Sequence, residues 1–177
     1  MKILTILTNG FEELEAIGTI ALLKRSGIDV DIRAIKDVKA TGRFELTLSD
    51  LHPLNDIGVN RYDALFIPGG PHFKTLEAND EVKEVIHSFV KEGKILCAIC
   101  AAPTILGHMG LLKNKNYTCF TSMNEDFGGT YIDQYVVVDH TLITGRSAAA
   151  SIDFGFTIIE KLQGKEQADK IKKEIYY

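Results

Sequence analysis

The sequence has few cysteines, no excess of basic residues and no long apolar run, and each of these absences excludes a class of protein. Three cysteines cannot all pair and do not form a secreted disulfide framework, so reduced thiols in a cytoplasm are expected. A net charge of −4 argues against binding nucleic acid or an anionic membrane, which needs a basic face. No apolar run reaches the ~18 residues of a membrane span, and residues 1–8 lack the cleavage site of an export signal.

The composition that remains is typical of a globular protein. The 177 residues are 45% apolar and 25% charged, which suits one well-buried core and disfavours a disordered or fibrous chain. We therefore expect a single domain over residues 1–177 whose ligand is a small neutral or anionic metabolite.

Apolar runs that end at Gly, Pro or Asn alternate along the chain with helical patterns. Strands are predicted over 2–8, 28–35, 62–67, 95–99 and 117–121, with short strands near Val38 and over 44–48 and a hairpin over 135–144. Helices are predicted over 11–26, 80–92, 101–109, 147–162 and 165–175. This alternation predicts an α/β fold in which a mostly parallel sheet carries helices on both faces. Ligands bind such sheets at the carboxyl ends of strands, so loops 9–15 and 68–72 should gather near residue 100.

Cys100 is the position around which a chemical site is predicted. It follows the apolar run 95–99, and Pro103, tolerated in the first turn of a helix, indicates that a helix starts directly behind it. The free N–H groups and dipole of a helix N-terminus stabilise a thiolate, lowering a thiol pKa from about 8.5 towards ~3.5–7.5. Small residues on either side, Ala98 and Ala102, fit a nucleophile elbow. The alternative is that Cys100 is one more buried core cysteine.

Glu15 is the acid best placed to serve that thiol. Helical spacing puts Glu15 on one apolar face with Phe11, Gly18 and Leu22, which predicts a buried carboxyl. Desolvation raises a carboxyl pKa, so Glu15 is expected to hold a proton at neutral pH, to hydrogen-bond the thiolate and to pass the proton to substrate. The alternative is that the acids at 12, 13 and 15 are only favourable charges in the first turn of a helix.

Backbone amides complete the predicted site. Gly69 and Gly70 allow close approach to a ligand, and with the amide of Ala101 they are expected to hold an oxyanion. Cys97 and Cys119 lie in apolar runs and are assigned to the core, which argues against a thioredoxin-like pair of Cys97 with Cys100.

No cofactor is expected at this site. The five histidines are scattered and form no metal-ligand spacing, and only His72, beside the glycine pair, is a candidate for the pocket. Flavin mononucleotide is disfavoured because the acids at 12 and 13 in the first loop would repel its phosphate.

Four motifs together carry a family resemblance. They are Gly-Phe-Glu-Glu-Leu-Glu-Ala at 10–16, Pro-Gly-Gly at 68–70, Ala-Ile-Cys-Ala-Ala-Pro-Thr at 98–104 and Thr-Gly-Arg-Ser at 144–147. With them the chain resembles the ThiJ/PfpI superfamily, and specifically its parkinsonism-associated deglycase branch, the DJ-one family. The resemblance implies a flavodoxin-like sheet, a homodimer and an elbow cysteine, Cys100, paired with Glu15. It further implies that Arg43 reaches the pocket of the partner subunit, and that Glu12 and Arg146 lie in the pocket or at the dimer contact.

The chain departs from the family pattern at two positions. Protease-like members have a histidine directly after the cysteine, where this chain has Ala101, so peptide hydrolysis loses its expected base. Some deglycase-branch members have a histidine near the strand that matches 117–121, where this chain has Cys119. Glu15 is therefore left as the main proton carrier.

Two functions remain open at this point. The first is an enzyme in which Cys100 attacks 2-oxoaldehydes such as methylglyoxal, or their adducts with amino groups, while Glu15 shuttles protons. The second is a non-enzymatic oxidative-stress sensor or chaperone in which Cys100 is oxidised to a sulfinate. Both require a reactive thiol at the same position.

Overall fold

The computed structural model describes residues 1–55 and 57–177, and its strands form one large sheet and two small ones. The strands are β1 Lys2–Leu7, β2 Asp29–Ala34, β3 Ala40–Thr41, β4 Thr47–Leu48, β5 His52–Pro53, β6 Ala64–Ile67, β7 Ile95–Ile99, β8 Asn116–Tyr117, β9 Thr130–Tyr131, β10 Val136–Asp139 and β11 Leu142–Gly145. The large sheet has seven strands in the order β10-β11-β7-β6-β1-β2-β5. Its pairs are parallel except for β10 with β11.

In the part of the chain that the structure describes, six α-helices surround the sheet. They are α1 Thr19–Arg25, α2 Phe73–Glu77, α3 Asp80–Lys91, α4 Ala102–His108, α5 Ser151–Gln163 and α6 Lys165–Glu174, and a π-helical segment, Leu14–Gly18, runs directly into α1. Over the described ranges, no helix is both long and apolar enough to cross a bilayer.

Two apolar layers form the core because successive side chains of a strand point to opposite faces of the sheet. Leu4 and Ile6 of β1 pack with α3 and α4, whereas Ile3 packs with α1, α5 and α6 on the opposite face. The predicted three-layer α/β sandwich, with a mostly parallel central sheet, is confirmed.

The helix predicted over 11–26 begins later than its sequence pattern indicates. The backbone of residues 10–12 bonds to neighbouring loops: Gly10 N donates to Thr41 O at 2.7 Å and Glu12 N donates to Gly69 O at 2.9 Å. Gly10 has φ +93°, which no helix contains. The first turn therefore belongs to the loop layer above the sheet; the π-helical segment begins at Leu14, and α-helix begins at Thr19.

The strand predicted over 117–121 is also shorter than expected. Within this segment only Tyr117 belongs to a strand, β8, which pairs with β9, Thr130–Tyr131. Beyond it, Thr118 N donates to Thr144 Oγ1 at 2.9 Å and Phe120 N donates to Cys100 O at 2.8 Å. The apolar character of this segment thus reflects packing against the cysteine turn. Two further elements of the structure, helix α2 and strand β5, are not predicted by the sequence patterns.

Candidate active site

Cys100 lies on the sharp turn between β7 and α4, where the sequence placed it. Its φ is +64°, a left-handed conformation that is uncommon for a residue with a side chain. Two hydrogen bonds fix it: Cys100 N donates to Gly145 O at 2.8 Å, and Cys100 O accepts from Phe120 N at 2.8 Å. Strain of this kind persists only where the surroundings enforce it and is concentrated at functional sites. The half-buried thiol is therefore held at the rim of the sheet on a nucleophile elbow.

Glu15 is fully buried and meets Cys100 across Gly69. Its Oε2 accepts a hydrogen bond from Gly69 N at 2.9 Å. A Cβ on Gly69 would lie 2.6 Å from Glu15 Oε2 and 2.7 Å from Cys100 Cβ, so only glycine leaves room for both groups. The second oxygen, Oε1, is buried without a well-aligned hydrogen bond to any described residue and is available to the Cys100 thiol.

The environment of Glu15 favours its protonated form. Burial, the largest effect, raises the pKa of Glu15 to about 7, and the negative charge of Glu12 acts in the same direction. Three weaker effects lower the pKa: the hydrogen bond with Cys100, the hydrogen bond from the Gly69 amide and the positive charge of Arg43. Near neutral pH the carboxyl is thus poised between acid and base, as a proton shuttle requires.

The pKa of the Cys100 thiol is shifted in the direction opposite to the sequence expectation. Burial raises it, the charge of Glu15 and the hydrogen bond with it raise it further, and the amide of Ala101 alone acts to lower it. The expected stabilisation by a helix terminus is outweighed because the sulfur is buried beside an acid. One proton is consequently shared by the pair, and a thiolate forms when Glu15 takes that proton.

The three predicted oxyanion donors do not share one role. The Gly69 N–H is occupied by Glu15, so this part of the prediction is wrong. Gly70 has φ +99°, and a Cβ there would lie 2.5 Å from Glu12 N. Its N–H has no partner among residues 1–55 and 57–177, while the Ala101 N–H is directed at the Cys100 sulfur. The Gly70 N–H is therefore the one of the three that can face a substrate oxygen, whereas the Ala101 N–H supports the sulfur.

A pocket of about 400 Å³ opens above the sulfur. Its polar lining consists of two acids, Glu12 and Glu15, and two cations, Arg43 and Lys74. The remaining lining is mostly apolar and comprises Gly70, Pro71, Phe73, Cys100, Ala101, Phe120, Met123, Ser147, Ala148 and Ala149. Sequence reasoning missed Phe73, Lys74, Phe120 and Met123, although the first two directly follow the predicted loop 68–72 and Phe120 adjoins Cys119.

Arg43 and Glu12 both line the pocket of their own chain. The loop that carries Arg43 is held by Glu13, whose Oε1 accepts from Phe44 N at 2.7 Å. Glu12 Oε2 also accepts a hydrogen bond from Glu15 N at 2.8 Å. Glu12 therefore both lines the pocket and acts as a favourable acid at the start of the helical segment. That Arg43 reaches into a partner's pocket stays a prediction.

Arg146 does not line the pocket. Its Nη1 donates to Asp133 Oδ1 at 2.7 Å, and its guanidinium carbon lies 4.7 Å from the centre of the Tyr135 ring. Arg146 is not among the residues that line the Cys100 pocket of its own chain, which corrects the pocket assignment and leaves a role at a dimer contact as a prediction.

His72 is a buried structural residue. Its Nδ1 accepts from Thr8 N at 3.4 Å and its Nε2 bonds to Pro68 O at 2.8 Å, which joins the loops after β1 and β6. Burial lowers the pKa of His72 to about 4, so the ring is neutral. Within the described part of the chain, no histidine lines the pocket and no three His, Cys, Asp or Glu residues group as metal ligands.

The sequence profile of the DJ-1/PfpI family matches residues 1–161. The chain belongs to the DJ-1/PfpI family. The crystal structure of DJ-1beta from Drosophila melanogaster superposes with a TM-score of 0.92 at 28% identity, covering 99% of this chain and 97% of that one. The family resemblance and the flavodoxin-like fold are thereby confirmed.

Two relatives bear on the length and chemistry of this family member. The glutathione-independent glyoxalase DJR-1.2 of Caenorhabditis elegans is 30% identical, with 93% of this chain and 89% of that protein covered. Protein DJ-1 homolog A of Arabidopsis thaliana is 31% identical, but the 96% of this chain that matches spans only 45% of it.

Proposed function

We propose that this protein is a cysteine-dependent enzyme that converts 2-oxoaldehydes such as methylglyoxal into 2-hydroxy acids. The observation that carries the proposal is the buried Glu15 carboxyl, with a pKa of about 7, meeting the strained Cys100 across Gly69. A glyoxalase name on a relative of similar length supports the same class of reaction.

The first step forms the carbon–sulfur bond. Glu15 takes the thiol proton, the thiolate attacks the aldehyde carbon, and Glu15 returns that proton to the aldehyde oxygen, giving a hemithioacetal. The amide of Gly70 stabilises the charge that develops on this oxygen during attack, and the amide of Ala101 stabilises the thiolate that attacks.

The second step moves a proton from C1 to C2. Ionised Glu15 removes the C1 proton and delivers it to C2, while the proton of the C1 hydroxyl passes to the C2 oxygen, so that the aldehyde carbon is oxidised and the ketone carbon is reduced. The resulting thioester is hydrolysed by water, which releases the 2-hydroxy acid and restores the thiol. The sum is 2-oxoaldehyde plus water giving 2-hydroxy acid, and no external oxidant is needed.

Attack by Cys100 on methylglyoxal adducts of amino groups is the related deglycase reaction. It uses the same thiol and the same shuttle, and the pocket of about 400 Å³ has room for more than a three-carbon substrate. We rank this deglycase reaction below turnover of the free 2-oxoaldehyde, because the free aldehyde alone lets Glu15 complete its cycle of proton transfers.

A stress-sensing role is the second candidate function. Glu15 Oε1 is buried and lacks a well-aligned hydrogen-bond partner among the described residues, and the Glu15 carboxyl interacts with the Cys100 thiol. A protonated carboxyl at that position would donate a hydrogen bond to a sulfinate oxygen on Cys100.

We further propose a homodimer. Leu14, Phe44 and Leu46 are 53%, 65% and 57% exposed, and they flank Glu13 beside the Arg43 loop. Sedimentation velocity tests the assembly: a monomer at micromolar concentration contradicts it.

The enzyme proposal is tested by methylglyoxal turnover without glutathione, with lactate measured as the product. Wild type should form lactate, whereas Cys100→Ala should be folded by circular dichroism and inactive. Lactate formation at the same rate by both proteins contradicts the proposal, and a sulfinate on Cys100 without any turnover favours the sensor.

A further inference from the structure

A second cavity adjoins the Cys100 pocket and has a different character. This groove has a volume of about 500 Å³. Its rim carries three lysines, Lys36, Lys39 and Lys74, and one acid, Asp37. In a chain with a net charge of −4, this local excess of positive charge is unusual. We call this cavity the lysine groove.

The lysine groove occupies the point of the fold where parallel α/β sheets bind ligands. From β1 the chain passes to β2 on one side, and the later strands β6 and β7 lie on the other side of β1. The groove is lined by Thr8 after β1, by residues 34–37 and Lys39 at and after the end of β2, and by four residues that follow β6: Lys74, Thr75, Ala78 and Asn79. It therefore lies at the carboxyl edge where the strand order reverses, the usual ligand crevice of such folds.

The three lysines are not engaged elsewhere in the fold. None of them forms an ion pair with a residue in the ranges 1–55 and 57–177. Further donors face the same space: the hydroxyl groups of Thr8 and Thr75 have no hydrogen-bond partner among these residues. Unpaired ammonium groups with neighbouring hydroxyl groups are the donor set that binds a carboxylate or a phosphate.

Lys74 connects the two cavities because it lines both the lysine groove and the Cys100 pocket. We infer that the lysine groove binds the anionic group, a carboxylate or phosphate, of a substrate whose carbonyl carbon lies at Cys100. This inference rests on the proposed function and narrows it: the preferred substrate is an acidic 2-oxo compound larger than methylglyoxal.

Binding and selectivity are measured separately, so that failure of the proposed function can be told apart from failure of this inference. Binding is measured with inorganic phosphate by amide chemical shifts of the ¹⁵N-labelled full chain. Selectivity is the ratio of kcat/KM for the phosphate ester of 3-hydroxy-2-oxopropanal to that for the unesterified aldehyde. The test variant is Lys36→Gln with Lys39→Gln, and the charge-matched control is Lys165→Gln with Lys170→Gln in α6, where both side chains are exposed.

Phosphate should shift the amides of Thr8 and residues 34–39, and the test variant should weaken this binding about tenfold while the control binds as wild type does. The test variant should also lose about tenfold in the selectivity ratio with unchanged turnover of the neutral aldehyde, and Lys74→Gln should lower the ratio as well. Equal phosphate affinity in test and control variants overturns the site. Phosphate binding without any preference for the ester overturns its link to Cys100. If neither aldehyde is turned over, the proposed function fails, and the phosphate titration still decides whether the groove binds anions.

Discussion

Substitution of Glu15 by glutamine should stabilise the fold at alkaline pH. The pKa of the carboxyl is about 7 in the fold and 4.5 when unperturbed. Between these values the folded state binds more protons than the unfolded chain, so the stability that Glu15 contributes is present at low pH and is lost as pH rises. At about 1.4 kcal/mol per pH unit, ionised Glu15 costs the fold about 3 kcal/mol near pH 8 and less than about 1 kcal/mol near pH 5.

Glutamine keeps an oxygen to accept from Gly69 N and carries no charge. The free energy of unfolding of Glu15→Gln should therefore exceed that of wild type by up to about 3 kcal/mol near pH 8, and the difference should shrink as pH falls towards 5. Urea denaturation of both proteins across this range measures it, with Glu166→Gln, an exposed residue, as control. A difference in the free energy of unfolding that does not change with pH would refute the assignment of Glu15 as a buried carboxyl with a raised pKa.

Three other perturbations have defined outcomes. The pKa of His72 is about 4 in the fold and 6.5 when unperturbed, so the fold should lose about 3 kcal/mol of stability as pH falls from 6.5 to 4. Comparing the acid unfolding of wild type with that of His72→Gln isolates this loss. Gly69→Ala should destabilise the fold by about 1–3 kcal/mol in thermal unfolding, because its Cβ would lie 2.8 Å from a backbone oxygen; a wild-type melting curve contradicts the crowding. Treatment with increasing peroxide should add two oxygens to Cys100 first, which peptide mass spectrometry detects. Cys97 and Cys119 should stay reduced until the protein unfolds, because they are at most 1% exposed.

The position of Cys100 and the burial of Glu15 were readable from the sequence because both follow from short-range patterns. An apolar run before Pro103 fixes the strand-to-helix turn, and an acid among apolar residues at helical spacing is buried. The burial of Glu15 is as predicted, although the helical spacing used to predict it is not: Phe11 lies outside the helix, and Glu15 lies in the π-helical segment, where it is buried together with Ala16.

The electrostatic balance at the site could not be predicted from the sequence. The thiol pKa depends on competition between the Ala101 amide and the burial and charge of Glu15, and the outcome is set by three-dimensional packing. The engagement of the Gly69 amide with Glu15 likewise joins segments 54 residues apart. Helix α2 escaped prediction because five residues are too few to show a period.

The central claim is that Cys100 bonds covalently to the aldehyde while Glu15 moves its protons. Acid-quenched single-turnover reactions with methylglyoxal, analysed by mass spectrometry of the intact chain and its peptides, test it most directly. Wild type should show a transient addition of one methylglyoxal on the Cys100 peptide, and Glu15→Gln should accumulate that adduct and form little lactate. Lactate formation without any adduct on Cys100, or at an undiminished rate in Glu15→Gln, would contradict the claim.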